Sequence, residues 1–228
     1  VKKIFLIIAM LGISFGSFAQ DYSKTEAKED AGEMSESSSN FQLACQLSRY
    51  GYANKSALSL IQAAQIVKEN GFERKAMDKP TETADGGKAE GDKSGAKVEL
   101  DATKLLADAK TLANGDQNLL GLIASVEKSQ TRGAVGGWRY DYSSVNAYST
   151  VQYAISFRAG ERAVVAVSGD GDTDLDLYIY DSNGNLIGSD TGYSDDCAVA
   201  WYPRWTGKFY IRIKNRGGVY NRYYMQTN

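Results

Sequence analysis

Five carboxylates carry the clearest chemical signal in this 228-residue chain. Asp170, Asp172, Asp174 and Asp176 recur at every second position, and Asp195 lies further along, with Asp190 and Asp196 beside it. Carboxylates this close repel one another unless water, donors or a cation neutralises them, and calcium, a hard cation with oxygen ligands, is the common solution. The spacing is not that of an EF-hand loop, because Leu175 stands where the turn glycine belongs and Asp181 at the twelfth position. Two readings stand: a calcium site, or a turn followed by solvent-facing strand positions. A second constellation is aromatic and basic. Tyr178, Tyr180 and Tyr210 with Arg212 fall on positions that alternate outward, near Lys214, and Trp205 precedes the Thr206-Gly207 turn. Rings with polar tips suit sugar or protein ligands, and Tyr and Arg on paired strands equally stabilise a sheet across its ladder.

Other chemistries are excluded or unsupported. The chain has no histidine, which removes the usual base of serine and cysteine hydrolases and the commonest zinc ligand. No glycine-rich phosphate loop is present, and a net charge of -2 without a basic tail argues against nucleic acid as partner. Cys45 falls in a helical pattern and Cys197 in a strand pattern. They either staple two halves together or sit as separately buried thiols.

The elements that position these residues form two blocks. From residue 131 onward the composition turns β-rich, with all three Trp and twelve of the fifteen Tyr residues. Gly133, Gly136 and Gly137 mark the boundary. Val151 to Phe157, Ala163 to Ser168, Asp174 to Tyr180, Leu186-Ile187, Cys197 to Trp201, Phe209 to Ile213 and Tyr220 to Gln226 read as strands separated by turns. Seven short strands without a helix signal predict an antiparallel β-sandwich over 131–228, with Leu175, Leu177, Ile179 and Trp201 inside.

Upstream, 40–130 reads as a helical domain. Leu43, Leu47 and Tyr50 share a stripe, Gly51 with Asn54 interrupts the run, and Ser56 caps a helix whose Ala57, Leu60, Ile61, Ala64 and Val67 keep a buried period. Asp101 caps a third helix and Asp116 a fourth, so two helical hairpins are predicted. Between them 78–97, rich in Gly, Lys, Asp and Glu, reads as a linker or long loop. The small residues Ala44, Gly51, Ala57 and Ala63-Ala64 loosely resemble tetratricopeptide-type helical repeats, and a plain four-helix domain serves as well. Residues 20–39 are polar and read as a tether. Lys2-Lys3, the apolar run Ile4 to Ile13 and Ser17-Phe18-Ala19 have the form of a signal peptide over 1–19, too short to span a bilayer, which takes about 20 apolar residues. The expected locale is the periplasm or the outside of the cell, with no transmembrane span after cleavage.

Within the β-rich half, Phe157-Arg158-Ala159-Gly160-Glu161, Asp174-Leu175-Asp176-Leu177-Tyr178-Ile179-Tyr180-Asp181, Asn183-Gly184 and Trp201-Tyr202-Pro203-Arg204-Trp205-Thr206-Gly207-Lys208-Phe209-Tyr210-Ile211 follow one another over some eighty residues. In order and spacing this stretch, about 148–228, resembles the bacterial pre-peptidase C-terminal domain. The resemblance implies a non-catalytic sandwich appended to exported proteins, and related collagen-binding modules use calcium and a tyrosine-bearing sheet face. It implies no proteolysis here, because a helical segment takes the place of the peptidase. The combined expectation is an α+β chain, helical hairpins followed by an antiparallel sandwich, that binds or anchors to an envelope or extracellular protein or polysaccharide; the alternatives are a structural envelope component without a soluble ligand and a carboxylate-dependent hydrolase that uses no histidine.

Overall fold

Each helix starts where a side chain accepts from its free amides. In the computed structural model, which describes residues 35–87, 97–129 and 138–228, Ser35 caps α1 (Glu36–Ala53), Ser56 caps α2 (Ala57–Asn70), Asp101 caps α3 (Ala102–Ala113) and Asp116 caps α4 (Gln117–Lys128). The signal-peptide reading, residues 20–34 of the tether and the boundary glycines lie outside the described residues. Residues 36–39, read as tether, are instead the first turn of α1. Ser35 Oγ accepts from Ser38 N, and Glu36 sits at the positive end of the helix dipole. Among the described residues no helix is long and apolar enough to cross a membrane.

Two further corrections concern α1. Gly51 does not interrupt it; the helix runs on to Ala53, and Gly51 is where α2 crosses closely. A Cβ there would stand 2.9 Å from Leu60 Cγ and 3.2 Å from Leu60 N. Nor is the buried face Leu43, Leu47 and Tyr50, since Leu43 is 44% and Tyr50 57% exposed. The helix instead buries Phe41, Gln42, Ala44, Cys45 and Ser48, a face of mostly small or polar residues suited to close approach against a sheet. On α2, by contrast, Ala57, Leu60, Ile61, Ala64 and Val67 are buried as their period predicts.

The strands are β1 (Glu73–Arg74), β2 (Thr81–Ala84), β3 (Arg139–Val145), β4 (Ser149–Phe157), β5 (Ala163–Ser168), β6 (Leu175–Tyr180), β7 (Leu186–Asp190), β8 (Asp196–Trp201), β9 (Gly207–Asn215) and β10 (Asn221–Thr227). They form two five-stranded sheets, ordered β1-β3-β10-β5-β8 (sheet A) and β2-β4-β9-β6-β7 (sheet B). Every pairing is antiparallel except β1 with β3. The helical hairpins followed by an antiparallel sandwich thus stand as the sequence predicts. Within the 78–97 segment, however, Thr81–Ala84 is an edge strand of sheet B; it is exposed along its length, so it needs no apolar residues.

The inward faces interdigitate around Val151, Ile155, Phe157, Val165, Val167, Leu175, Leu177, Ile179, Trp201, Phe209, Ile211, Ile213 and Met225. Within this core the hydroxyls of Tyr153 and Tyr223 bond each other at 2.7 Å. Much of the outer face of sheet A is also buried. Tyr140, Ala166, Ala198 and Tyr224 share a core with Phe41, Ala44, Cys45 and the buried positions of the other helices. Polar ties fix this contact: Gln42 Nε2 donates to Val167 O and Cys197 O, each at 3.0 Å, and Arg49 Nη1 donates to Gly169 O at 2.9 Å. The outcome is three layers, helices on sheet A on sheet B; sheet B carries exposed side chains along its outward face, and sheet A does so only beside the helices, at Tyr142, Ser144 and Arg222.

Candidate functional site

Alternation along three neighbouring strands builds that face. With Leu175, Leu177 and Ile179 inside, Tyr178 and Tyr180 of β6 point out; with Phe209, Ile211 and Ile213 inside, Lys208, Tyr210, Arg212 and Lys214 of β9 point out. Register then sets the rows: Tyr178, Arg212 and Gln152 lie side by side, as do Tyr180, Tyr210 and the exposed Ala154. Arg212 Nε donates to Gln152 Oε1 at 2.7 Å, and its guanidinium lies 4.5 Å from the Tyr180 ring centroid. Tyr178 donates its hydroxyl to Asp176 Oδ2 at 2.9 Å. Its pKa is pushed up to about 12, by burial first and then by the Asp176 bond and charge, so it remains a neutral donor. At the β2 end of the next row Lys214 pairs with Asp85 at 3.1 Å. Lys208 and Arg212 form no ion pair among the described residues.

Four of the five sequence-predicted ligand residues therefore share one face, and Trp205 lies at its end, in the loop before β9. The Trp205 ring stacks on Phe209 with centroids 6.1 Å apart and planes at 19°, and is 39% exposed. Gln152 and Lys208 complete the face. Both were legible, since each sits one residue from an inward apolar position.

Three of the five aspartates are taken up by separate partners. Asp170 is buried and accepts from Arg222 N at 3.0 Å and Asp172 N at 3.3 Å, and burial raises its pKa against those donors. Asp195 accepts from Gly171 N and pairs with Arg49 at 3.2 Å. Asp176 lies beside Tyr178, with Arg216 at 3.7 Å. Asp172 Oδ2 and Asp174 Oδ1 are buried without a hydrogen-bond partner. Burial, and then the Asp176 charge, raise the Asp174 pKa. Among the described residues no three of His, Cys, Asp or Glu gather closely enough to hold a metal ion. Asp181 serves the hairpin turn. Burial alone would raise it, yet donors from Asn185, Asn183 and Gly184 hold its carboxyl below the usual range.

Cys45 and Cys197 are both free and buried, and burial pushes both thiols far up, which leaves neither poised as a nucleophile. A cleft of about 640 Å³ opens where the Lys97–Lys104 segment meets sheet A, lined by Phe72, Arg74, Tyr140, Tyr142 and Tyr224 among others. Its polar groups are engaged. Tyr140 donates to Leu100 O, Tyr224 donates to Val98 O, and Arg74 pairs with Asp141.

No family model and no curated protein matches the chain. Among solved structures, it is similar to the pre-peptidase C-terminal domain of collagenase from Bacillus anthracis, at TM-score 0.35 and 10% identity over 39% of this chain and 87% of that one. It is also similar to the Yersinia pseudotuberculosis-derived mitogen, at TM-score 0.35 and 12% identity over 40% of this chain and 85% of that one. A third likeness is to a periplasmic inhibitor of g-type lysozyme from Aeromonas hydrophila, at TM-score 0.31 and 14% identity over 40% of this chain and 86% of that one. Likenesses this slight assign the chain neither a family nor a ligand.

Proposed function

We propose that this chain is an exported, non-catalytic binding protein of the cell envelope or extracellular space. Its pre-peptidase C-terminal-like sandwich holds a polysaccharide on the outer face of sheet B. One observation carries the reading: the helices pack on much of the outer face of sheet A, while sheet B leaves Tyr178, Tyr180, Tyr210 and Arg212 outward in adjacent rows. A rigid sheet face with amphipathic rings and fixed polar tips presents contact area at small entropic cost. The helical layer acts as a brace through Gln42 and Arg49. The non-catalytic reading rests on the lack of histidine, the buried thiols and the separate engagement of Asp170, Asp176 and Asp195.

The test is retention of the purified chain on immobilised envelope and culture-medium polysaccharide, with calcium and with chelator. Tyr210→Ala and Arg212→Ala are expected to lose retention, and Leu122→Ser, on the exposed side of α4, to keep it. Retention on a protein fraction instead would replace the polysaccharide, and hydrolysis of peptides or glycans by the pure chain would end the non-catalytic reading.

A further inference from the structure

We propose that the polysaccharide is anionic, and that it lies along a cationic and aromatic band running from Arg212 and Tyr210 through Lys208 onto the loop that carries Arg204 and Trp205. This inference rests on the open-face reading above and names the ligand class for it. Charge is segregated along the sandwich. From residue 131 onward the chain holds ten Lys and Arg and ten Asp and Glu, a net charge of zero. Yet Asp170, Asp172 and Asp174 lie in the β5–β6 connection and Asp195 in the β7–β8 connection, at one end of the sandwich. The opposite end is built by the β4–β5, β6–β7 and β8–β9 connections, with Arg158, Arg162 and Arg204 against Glu161, which pairs with Arg158 at 3.6 Å, and the buried turn carboxylate Asp181. The β4–β5 and β8–β9 connections touch, Gly160 N donating to Pro203 O at 2.8 Å and Ala159 N to Thr206 Oγ1 at 3.0 Å, so their arginines share one rim.

The same polarity continues along the open face. Toward the acidic end Lys214 is neutralised by Asp85. Toward the basic end Lys208 is exposed, and it and Arg212 have no carboxylate within ion-pair distance among the described residues. Rings are interleaved with these charges. Trp205 stacks on the inward Phe209 at the end of the core and stays 39% exposed at the rim, Tyr202 is exposed in the same loop, and Tyr210 stands next to the small exposed Ala154, which leaves its flank open. Cations spaced between rings on a flat surface match a polymer that alternates carboxylate or sulfate groups with apolar sugar C–H faces. A bilayer fits less well, because a planar surface resting on the rim would leave Arg212 and Tyr180, further along the face, out of contact.

The test uses the full chain in chelator, titrated calorimetrically with three probes of equal length: oligogalacturonate, a sulfated chondroitin oligomer and a neutral β-glucan. At least one anionic probe is expected to bind about tenfold or more tightly than the glucan, weakening as salt rises from about 50 to about 200 mM. The two anionic arms separate carboxylate from sulfate chemistry. Lys208→Glu and Arg212→Glu are expected to weaken that binding about tenfold with unchanged melting temperature, and Lys110→Glu on the exposed side of α3 to leave it within about twofold. Equal, salt-insensitive binding of the glucan would overturn the charge assignment and leave the open-face reading intact. Failure of all three probes, with retention only on vesicles of anionic lipid, would overturn both.

Discussion

Replacing Gly51 by alanine sets two opposing effects against each other, and the geometry decides between them. In an exposed helix interior, Gly→Ala stabilises by up to about 1 kcal/mol, because glycine loses more backbone entropy on folding. At Gly51 the new methyl would stand 2.9 Å from Leu60 Cγ, with the Leu60 backbone nitrogen at 3.2 Å. Leu60 is fully buried, so its side chain has little room to yield, and α2 would have to move away from α1. Overpacking of this kind costs about 1–3 kcal/mol, which exceeds the helix-propensity gain. The net expectation is a loss of about 1–2 kcal/mol, or roughly 2–8 °C in melting temperature for a chain of this size. Gly121 supplies the matched control, because it lies in α4 and a methyl added there would meet nothing within 4 Å. Gly121→Ala is expected to stabilise by up to about 1 kcal/mol. Urea unfolding followed by circular dichroism measures both. A Gly51→Ala variant as stable as the parent, or more so, would refute the close crossing of α1 and α2.

Three further outcomes follow from the buried polar groups. Asp174→Asn is expected to stabilise the chain at pH 7 by about 1 kcal/mol or less. Because the folded-state pKa is raised, the ionised carboxylate is the disfavoured form; the advantage is present at neutral pH and fades as pH falls through that raised value, which thermal melts at about pH 7 and about pH 4 would show. Both thiols are expected to resist a thiol-disulfide reagent in the native chain and to react on unfolding, so rapid native labelling of either would contradict their burial. Millimolar calcium is expected to shift the melting temperature by less than about 1 °C relative to chelator, and a larger rise would mean that Asp172 and Asp174 rearrange around the ion.

The sandwich was legible because its strands, those of sheet B above all, alternate apolar with polar residues. That alternation places Trp201, Leu177 and Ile211 inside and puts Tyr178, Tyr180, Tyr210 and Arg212 on a common face without knowledge of the pairing. What could not be read depends on distant partners. Phe41, Ala44, Cys45 and Ser48 form the buried side of α1 because a sheet more than a hundred residues later lies against them, and small or polar side chains give no apolar stripe to find. Thr81–Ala84 was missed because a fully exposed edge strand needs only a free neighbour, not hydrophobic residues. The aspartates resemble a metal loop in sequence, yet Arg49 lies in a helix and Arg222 on β10, and those remote donors take up Asp195 and Asp170 separately.

Which surface meets the ligand is the central question, and amide chemical-shift mapping of the full chain with the polysaccharide it retains tests it most directly. Binding on sheet B predicts shifts concentrated on β4, β6 and β9, at Gln152, Tyr178, Tyr210 and Arg212, and continuing to Lys208 and Trp205. Shifts confined to the exposed sides of α1 to α4, with those strands unmoved, would place binding on the helical layer and contradict it.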